Sequence, residues 1–307
     1  MYNVFIDGSA GTTGLKIVER LSNREDIKLI KLSEELRKDE KARKDALNSA
    51  DVAFLCLPDQ AAIEAVKLVE NPNVKIIDTS TAHRVNEMWQ YGFAEINNFE
   101  QKIKASKRIA NPGCHASGFI ALINPLINAG VISKEVALTC FSITGYTGGG
   151  KKMIAEYEGE DKPMLYDAPR QYALSQKHKH LPEMQKYCSL DLSPIFCPIV
   201  ADYDRGMEVT IPLFKKDIKC DIDAIKEIYN KTYTGKVVYL AKENTEEGFL
   251  SASSMRGKDS MELFVYGNED RIILVSRFDN LGKGASGSAI QNMNILLGEC
   301  QTKGLIL

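Results

Sequence analysis

The strongest constraint on this chain's fold is a rhythm in its first hundred residues, where short apolar strands alternate with helix-spaced segments. That pattern predicts a parallel sheet joined by crossover helices. Val4-Phe5-Ile6 reads as a first strand, and Leu15, Val18 and Leu21 recur at helical spacing. Residues 27–32 alternate Ile, Lys, Leu, Ile, Lys, Leu, as a second strand with one partly exposed face would. Val52-Ala53-Phe54-Leu55-Cys56-Leu57 is apolar throughout, as a strand covered on both faces should be, and Pro58 ends it. A helix over 61–69, a strand over 74–77 and a last strand at Arg108-Ile109-Ala110 complete a doubly wound, Rossmann-type half.

After about residue 115 the pattern changes to longer strands at 136–144, 195–200, 207–213, 261–266 and 271–278, with one helix at 223–229 between them. Such a run predicts an α+β, mostly antiparallel second domain. Residues 285–297 return to helical spacing after a Gly-rich start. The expected division is a nucleotide-binding domain over 1–113, a catalytic and dimerisation domain over 114–284, and a C-terminal helix over 285–307 that returns to the first. The 307 residues suit about two domains at roughly 150 residues each.

Composition narrows the function classes. With 39 Lys+Arg against 41 Asp+Glu, a net charge of −2 and no basic block, neither nucleic acid nor an anionic membrane surface is an expected partner. The longest apolar stretch, 118–132, is interrupted by Asn124, Pro125 and Asn128 and is too short to span a bilayer. Seven cysteines is an odd count, the closest two (Cys188 and Cys197) are nine apart, and no C-x-x-C occurs. No disulfide framework and no metal site is indicated, and a reducing cytoplasm is the expected location.

Three segments carry chemistry. Gly8-Ser9-Ala10-Gly11-Thr12-Thr13-Gly14 joins the first strand to the first helix, a variant dinucleotide fingerprint in which glycines admit a pyrophosphate to a helix N-terminus. Past the second strand, Glu34 suits a ribose 2′-hydroxyl while Ser33, Arg37 or Lys38 suits a 2′-phosphate, and NADP is the expected cofactor. Asn111-Pro112-Gly113-Cys114-His115 places Cys114 at the start of an apolar helix, where the dipole favours a thiolate and the amides of Cys114 and His115 suit an oxyanion. Cys56, Cys140, Cys197 and Cys220 lie in or beside apolar strand patterns and read as inert packing.

A nucleophilic cysteine needs a base, and the chain has four histidines. In Lys177-His178-Lys179-His180-Leu181-Pro182-Glu183, His180 is the candidate, with Glu183 one helical turn on to orient it; a solvated Lys-rich loop is the competing reading. Arg84, after the 74–78 strand, suits an anionic substrate group, and His83 sits beside it. Gly145 to Lys152 combines backbone donors with two cations, suited to phosphate or simply flexible. The segment 279–289 has small residues suited to a cofactor ring or to close helix docking.

These segments together resemble the N-acetyl-gamma-glutamyl-phosphate reductases of the shorter type, within the aspartate-semialdehyde dehydrogenase superfamily. The resemblance runs nearly end to end, through Gly8/Gly11/Gly14, Asn111-Pro112-Gly113-Cys114, Gly145-Tyr146-Thr147-Gly148-Gly149-Gly150-Lys151, His178-Lys179-His180-Leu181-Pro182-Glu183, Arg205-Gly206-Met207, Asp279-Asn280-Leu281 and Gln291-Asn292-Met293-Asn294. Ser80-Thr81-Ala82-His83-Arg84 departs from the longer type's Ser-Ala-Asp-Phe-Arg and fits the shorter type. The resemblance implies a glyceraldehyde-3-phosphate dehydrogenase-like second domain and NADPH-dependent reduction of N-acetyl-L-glutamyl 5-phosphate in arginine biosynthesis, through a Cys114 thioester with His180 and Glu183 managing protons. It implies cofactor contacts from Gly8 to Gly14, Ser33, Arg37 and Asn280, and substrate contacts from Arg84, Asn111, Gly148, Gly149 and Lys151, with Arg170 and Arg205 as weaker candidates. A homodimer or homotetramer is expected. The competing functions are an aspartate-semialdehyde dehydrogenase and a non-catalytic NADP sensor of the same fold.

Overall fold

The structure is a computed structural model that describes residues 1–242 and 246–307. The chain forms two compact units, one of Met1–Pro112 with Ala285–Leu305 and one of Gly113–Gly284 with Ile306–Leu307.

The first unit is built on a six-stranded sheet of β1 (Tyr2–Asp7), β2 (Ile27–Ile30), β3 (Val52–Leu55), β4 (Lys75–Asp78), β5 (Gln90–Tyr91) and β6 (Arg108–Ala110), in the order β2-β1-β3-β4-β6-β5. Every pairing is parallel. Helices α1 (Thr12–Leu21), α2 (Glu40–Ser49), α3 (Asp59–Lys67) and α4 (Phe99–Ala105) make the crossovers. Parallel strands need such crossovers, and these strands are buried on both faces, which is why β3 reads as an unbroken apolar run. On one face Phe5, Ala53, Leu55 and Ile76 pack with Ala46 and Leu47 of α2 and with Ala62 and Ala65 of α3. The order reverses at β1, whose neighbours β2 and β3 lie on opposite sides, so the C-terminal end of β1 is the switch point at which such sheets bind ligands.

The second unit has a seven-stranded sheet of β7 (Thr139–Gly145), β8 (Arg170–Gln171), β9 (Ile195–Ala201), β10 (Met207–Phe214), β11 (Val238–Leu240), β12 (Met261–Gly267) and β13 (Arg271–Phe278), in the order β11-β12-β13-β10-β7-β9-β8. The pairings β12·β13, β10·β13, β10·β7 and β8·β9 are antiparallel. Those of β11·β12 and β7·β9 are parallel, so the sheet is mixed with an antiparallel majority. Its helices are α5 (Cys114–Asn128), α6 (Gly150–Glu158), α7 (Leu181–Tyr187) and α8 (Ile222–Thr232). Buried α5 packs on β10, β13, α7 and α8. One face of the sheet is covered: Met207, Val209, Ile211 and Leu213 are buried at every second position of β10. The opposite face exposes Phe141, Ile195, Phe214, Ile273 and Tyr266.

Helix α9 (Gly287–Leu297) belongs to the first unit and packs on α4 and β4. Asn292 Nδ2 donates to Gly92 O at 3.0 Å and to Asn111 Oδ1 at 3.1 Å. Among the described residues no helix is long and apolar enough to cross a membrane.

Three local expectations are corrected. The strand expected from Val136 starts at Thr139, because Val136 closes a turn on Ser133 O. The glycine-rich run after it is not a flexible loop: Tyr146–Gly149 is a 3₁₀ turn and Gly150–Glu158 is a helix. Helix α2 escaped the sequence reading because only Ala46 and Leu47 of its ten residues are buried; its signal is Asp39, whose carboxylate caps Ala42 N at 2.7 Å.

Candidate active site

In the first unit the glycine segment forms a tight turn between β1 and α1. Gly8 has φ +82°, and a Cβ there would lie 2.2 Å from Cys56 O. A Cβ at Gly14 would lie 2.5 Å from Gly8 O, so Gly8 and Gly14 are demanded by close backbone approach, while Gly11 has ordinary room. Gly11 is the N-cap of α1, and the hydroxyl of Thr12, first residue of the helix, is buried with no hydrogen-bond partner. An orphaned hydroxyl at a helix N-terminus suits a phosphate oxygen.

Next to this turn lies a cleft of about 690 Å³ lined by Asp7, Gly8, Ser9 and Ala10, by the end of β2, and by Glu34, Arg37, Lys38 and Arg43. The cavity is in the size range of a cofactor pocket and mostly apolar with a few placed charges. Arg37 pairs with Glu34. Ser33 does not line the cleft; its carbonyl instead accepts the amides of Leu36 and Arg37 and closes the short turn that carries Arg37. Arg43 on α2, absent from the sequence reading, grips the buried Asp7 carboxylate with Nε at 3.1 Å and Nη2 at 2.8 Å. The residues present thus fit a dinucleotide.

At the end of β4, Asp78 accepts Ser80 N at 2.9 Å and Ser80 Oγ at 2.7 Å, and its Oδ2 lies 2.6 Å from His83 Nδ1. His83 also stacks on Trp89. Arg84 is buried and donates to Thr79 O at 3.0 Å. Asn111 Nδ2 donates to Ala285 O at 3.1 Å.

In the second unit Cys114 is the first residue of α5, with Gly113 as N-cap. Gly284 abuts it: a Cβ there would stand 3.0 Å from the Cys114 Cβ. Glu183 Oε2 accepts the Gly113 amide at 2.9 Å, so the buried carboxylate fixes the turn that presents the cysteine. Three histidine rings gather here. Their centroids are 5.5 Å apart for His115 and His180, 5.7 Å for His115 and His178, and 4.7 Å for His178 and His180. His115 Nδ1 lies 2.6 Å from Ser142 Oγ, and the Tyr172 hydroxyl lies 2.8 Å from His115 Nε2. Burial, and next to it the charge of His178, lowers His115 to about 3, so that ring is neutral. Burial, and then the Cys114 thiolate, push the Tyr172 phenol well above its usual range.

Burial raises the Cys56 thiol to about 12 and pushes Cys140 and Cys188 up as well. Exposed Cys300 is the exception, lowered by its hydrogen bond with Thr302.

The remaining expected site residues of this unit surround the 3₁₀ turn and α6. Gly145 tolerates no side chain, since a Cβ would lie 2.6 Å from Tyr203 O, whereas Gly148 has room. Asn280 braces this turn: its Oδ1 accepts Gly206 N at 2.8 Å and its Nδ2 donates to Thr147 Oγ1 at 3.1 Å. Gly149 packs on Met153, and Lys151 is exposed on the first turn of α6. The Arg170 guanidinium sits 3.3 Å over the Tyr166 ring and donates to Tyr157 Oη at 2.8 Å. Arg205 pairs with Asp204 at 3.3 Å. Cys114, His180 and Glu183 therefore share the second unit with Gly148, Gly149, Lys151 and Asn280, and the glycine turn, Arg37, Arg84 and Asn111 belong to the first. Among the described residues no group of three or more His, Cys, Asp or Glu could hold a metal ion.

Comparisons with known proteins follow the same division. Residues 3–105 match the family model described as "Semialdehyde dehydrogenase, NAD binding domain" and residues 114–280 that described as "Semialdehyde dehydrogenase, dimerisation domain". The chain is 43% identical over 304 residues to a Sinorhizobium medicae protein named N-acetyl-gamma-glutamyl-phosphate reductase, covering 96% of this chain and 98% of the relative. A Rhizobium etli protein of the same name is 45% identical over 305 residues, again covering 96% and 98%. Among solved structures, aspartate semialdehyde dehydrogenase II of Vibrio cholerae superposes with a TM-score of 0.72 at 16% identity, over 97% of this chain and 98% of that one. The Candida albicans aspartate semialdehyde dehydrogenase with NADP has a TM-score of 0.68 at 14% identity, over 97% and 98%. At those identities the likeness is one of fold.

Proposed function

Because the chain belongs to the semialdehyde dehydrogenase family, and within it to the N-acetyl-gamma-glutamyl-phosphate reductases, we propose that it reduces N-acetyl-L-glutamyl 5-phosphate to N-acetyl-L-glutamate 5-semialdehyde with release of phosphate. The step belongs to arginine biosynthesis. The observation that carries the reading is Cys114 at the start of α5 beside the cluster of His115, His178 and His180, in a chain matching proteins of that name over 96% of its length.

The Cys114 thiolate, favoured by the N-terminal end of the α5 dipole, attacks the acyl carbon; the bond from carbon to the phosphate oxygen breaks and phosphate leaves with its electron pair. The amides at the start of α5 take the charge that develops on the carbonyl oxygen. NADPH, held by the glycine turn, would supply the hydride needed to bring the thioester carbon to the semialdehyde level. His180 exchanges protons with the oxygen and with Cys114 as the thiolate is released. Glu183 holds the turn before Cys114 through the Gly113 amide, so the nucleophile's placement depends on it. Arg84, Asn111, Gly148, Gly149 and Lys151 are the proposed substrate contacts.

The glycine turn, with the Thr12 hydroxyl, would hold the pyrophosphate, and Arg37 and Lys38, joined by Arg43, would hold a 2′-phosphate, which favours NADP over NAD. Asn280 would act from behind, as a brace for the Thr147 to Gly149 turn. The protein would work in the cytoplasm; all seven of its cysteines are free thiols. A second copy of the chain would pack on the open face of the second unit's sheet, and Phe141→Glu should reduce the mass measured by light scattering to that of a monomer.

The reading is tested by running the reaction backwards. N-acetylglutamate semialdehyde with phosphate or arsenate should drive NADP reduction; robust activity with aspartate semialdehyde in its place would overturn the substrate assignment.

A further inference from the structure

We infer that Asp7 is a positioning residue that sets the preference for NADP over NAD: it grips the Arg43 guanidinium along one edge and so fixes the plane in which that cation meets a 2′-phosphate. The inference rests on the proposed reading of the first unit's cleft as the NADP site and adds the buried group that holds its geometry.

The chemistry of the pair fixes its direction, since a guanidinium only donates and a carboxylate only accepts. Asp7 Oδ2 accepts Arg43 Nε at 3.1 Å and Nη2 at 2.8 Å, and Oδ1 lies 3.3 Å from Nε. The carboxylate therefore takes the Nε–Nη2 edge, and the donors of Nη1 play no part in the pair. Both residues line the cleft. Arg43 is thus presented there in one orientation with donors unspent.

Asp7 is suited to hold rather than to follow. It is the last residue of β1, its carbonyl accepts Cys56 N at 2.8 Å, and Gly8 with φ +82° comes next. Its side chain is 4% exposed, and a carboxylate so buried needs its counter-ion. Arg43, on the first turn of α2 behind the Asp39 cap, supplies it. The cleft's other arginine is held more loosely: Arg37 and its partner Glu34 have side chains 37% and 87% exposed, and such pairs contribute little. Lys31 and Lys38 complete the charged lining and are exposed. Against these, Arg43 is the cation whose place is set before a cofactor arrives. Removing the Asp7 charge would by itself attract phosphate more strongly, but that attraction is screened by salt, whereas a contact through two donors needs a fixed plane. The loss of orientation should therefore win.

The test is a double-mutant cycle on the whole protein. Wild type, Asp7→Asn, Arg43→Ala and the double variant are titrated with NADPH and NADH, and with adenosine 2′,5′-bisphosphate and AMP as probes that differ in the 2′-phosphate alone. Asp7→Asn should weaken NADPH and the bisphosphate about tenfold, and NADH and AMP by less than about twofold. A merely structural role would weaken both members of each pair alike. With Arg43→Ala already present, Asp7→Asn should cost NADPH nothing further, because the group it positions is gone. Arg43→Lys keeps the charge and the partner of Asp7 but has no edge to grip, so it should lose as much NADPH affinity as Arg43→Ala; this variant reads the geometry even if Asp7→Asn fails to fold. Unchanged or tighter NADPH binding in Asp7→Asn, equal losses for NADPH and NADH, or full NADPH affinity in Arg43→Lys would overturn the inference. A wild type that binds NADPH and NADH equally would overturn the NADP reading with it, whereas an NADP preference that survives in Asp7→Asn overturns the inference alone.

Discussion

The two units of the chain make their sites from different materials. In the first, the decisive features are backbone: two glycines with no room for a Cβ, a helix start with an orphaned hydroxyl, and a cleft at the sheet's switch point. In the second they are side chains, a cysteine on a helix start, three clustered histidine rings of which His115 and His180 are buried, and the carboxylate of Glu183. A unit that binds a cofactor carrying its own chemistry needs close approach and little else, whereas a unit that itself breaks and makes bonds needs reactive groups held in place. The contrast predicts that damage to the two will differ in kind.

The largest effect should come from the side-chain site. Cys114→Ser should lower kcat by at least about 10³-fold while NADPH affinity and melting temperature stay within error; a matching loss of cofactor binding would break the contrast. In the backbone site, Gly8→Ala forces a Cβ to 2.2 Å from Cys56 O at φ +82°. It should cost roughly 3 kcal/mol or more of stability and weaken cofactor binding together, read by denaturant unfolding and NADPH titration.

The two sites also differ in how far they could be read from sequence. The β1, glycine turn and α1 succession is legible because its parts are consecutive, so the geometry that needs Gly8 and Gly14 is local. Alternation made β10 legible and unbroken apolar runs made β12 and β13 legible too, but not their order, since β10 sits between β13 and β7 through pairings that cross long stretches of chain. The pairing of Asp7 with Arg43 spans 36 residues and ends on a polar helix whose single strong cue is its Asp39 cap. The Ser142, His115 and Tyr172 network joins a strand, a helix and an edge segment that nothing in their spacing relates. Helix α6 was obscured by its own start, where Gly148-Gly149-Gly150 signals a loop although Gly150 opens a helix.

A smaller effect concerns the buried rings. The folded His115 value of about 3 lies below the usual 6.5, so the unfolded chain binds the extra proton. The stability His115 allows is fully present above pH 6.5 and is lost progressively as pH falls toward 3. At pH 5 the loss should be roughly 2 kcal/mol, from about 1.4 kcal/mol per pH unit. Urea unfolding at pH 7 and pH 5 checks this, and His115→Gln should have a flatter pH dependence than the wild type; an equal slope would remove His115 as the cause.

Smallest of all should be Arg37→Ala, since Arg37 is partly exposed and paired with Glu34. NADPH affinity should fall up to about tenfold while that for NADH is unchanged, consistent with one charge-assisted contact to a 2′-phosphate. An equal loss for both cofactors would move the phosphate contact elsewhere, Arg43 and Lys38 being the neighbours to test next.

The claim that the second unit's chemistry runs through a covalent Cys114 intermediate can be met directly by withholding phosphate. Alkylation alone is a poor probe, because exposed Cys300 has a lowered thiol and would compete. Mixed instead with N-acetylglutamate semialdehyde and NADP in phosphate-free buffer, the enzyme should release a burst of NADPH near one equivalent per active site and then stall. Intact-mass and peptide analysis should find an N-acetylglutamyl group on Cys114. A burst absent in the wild type, or an acyl group on any residue but Cys114, would contradict the account.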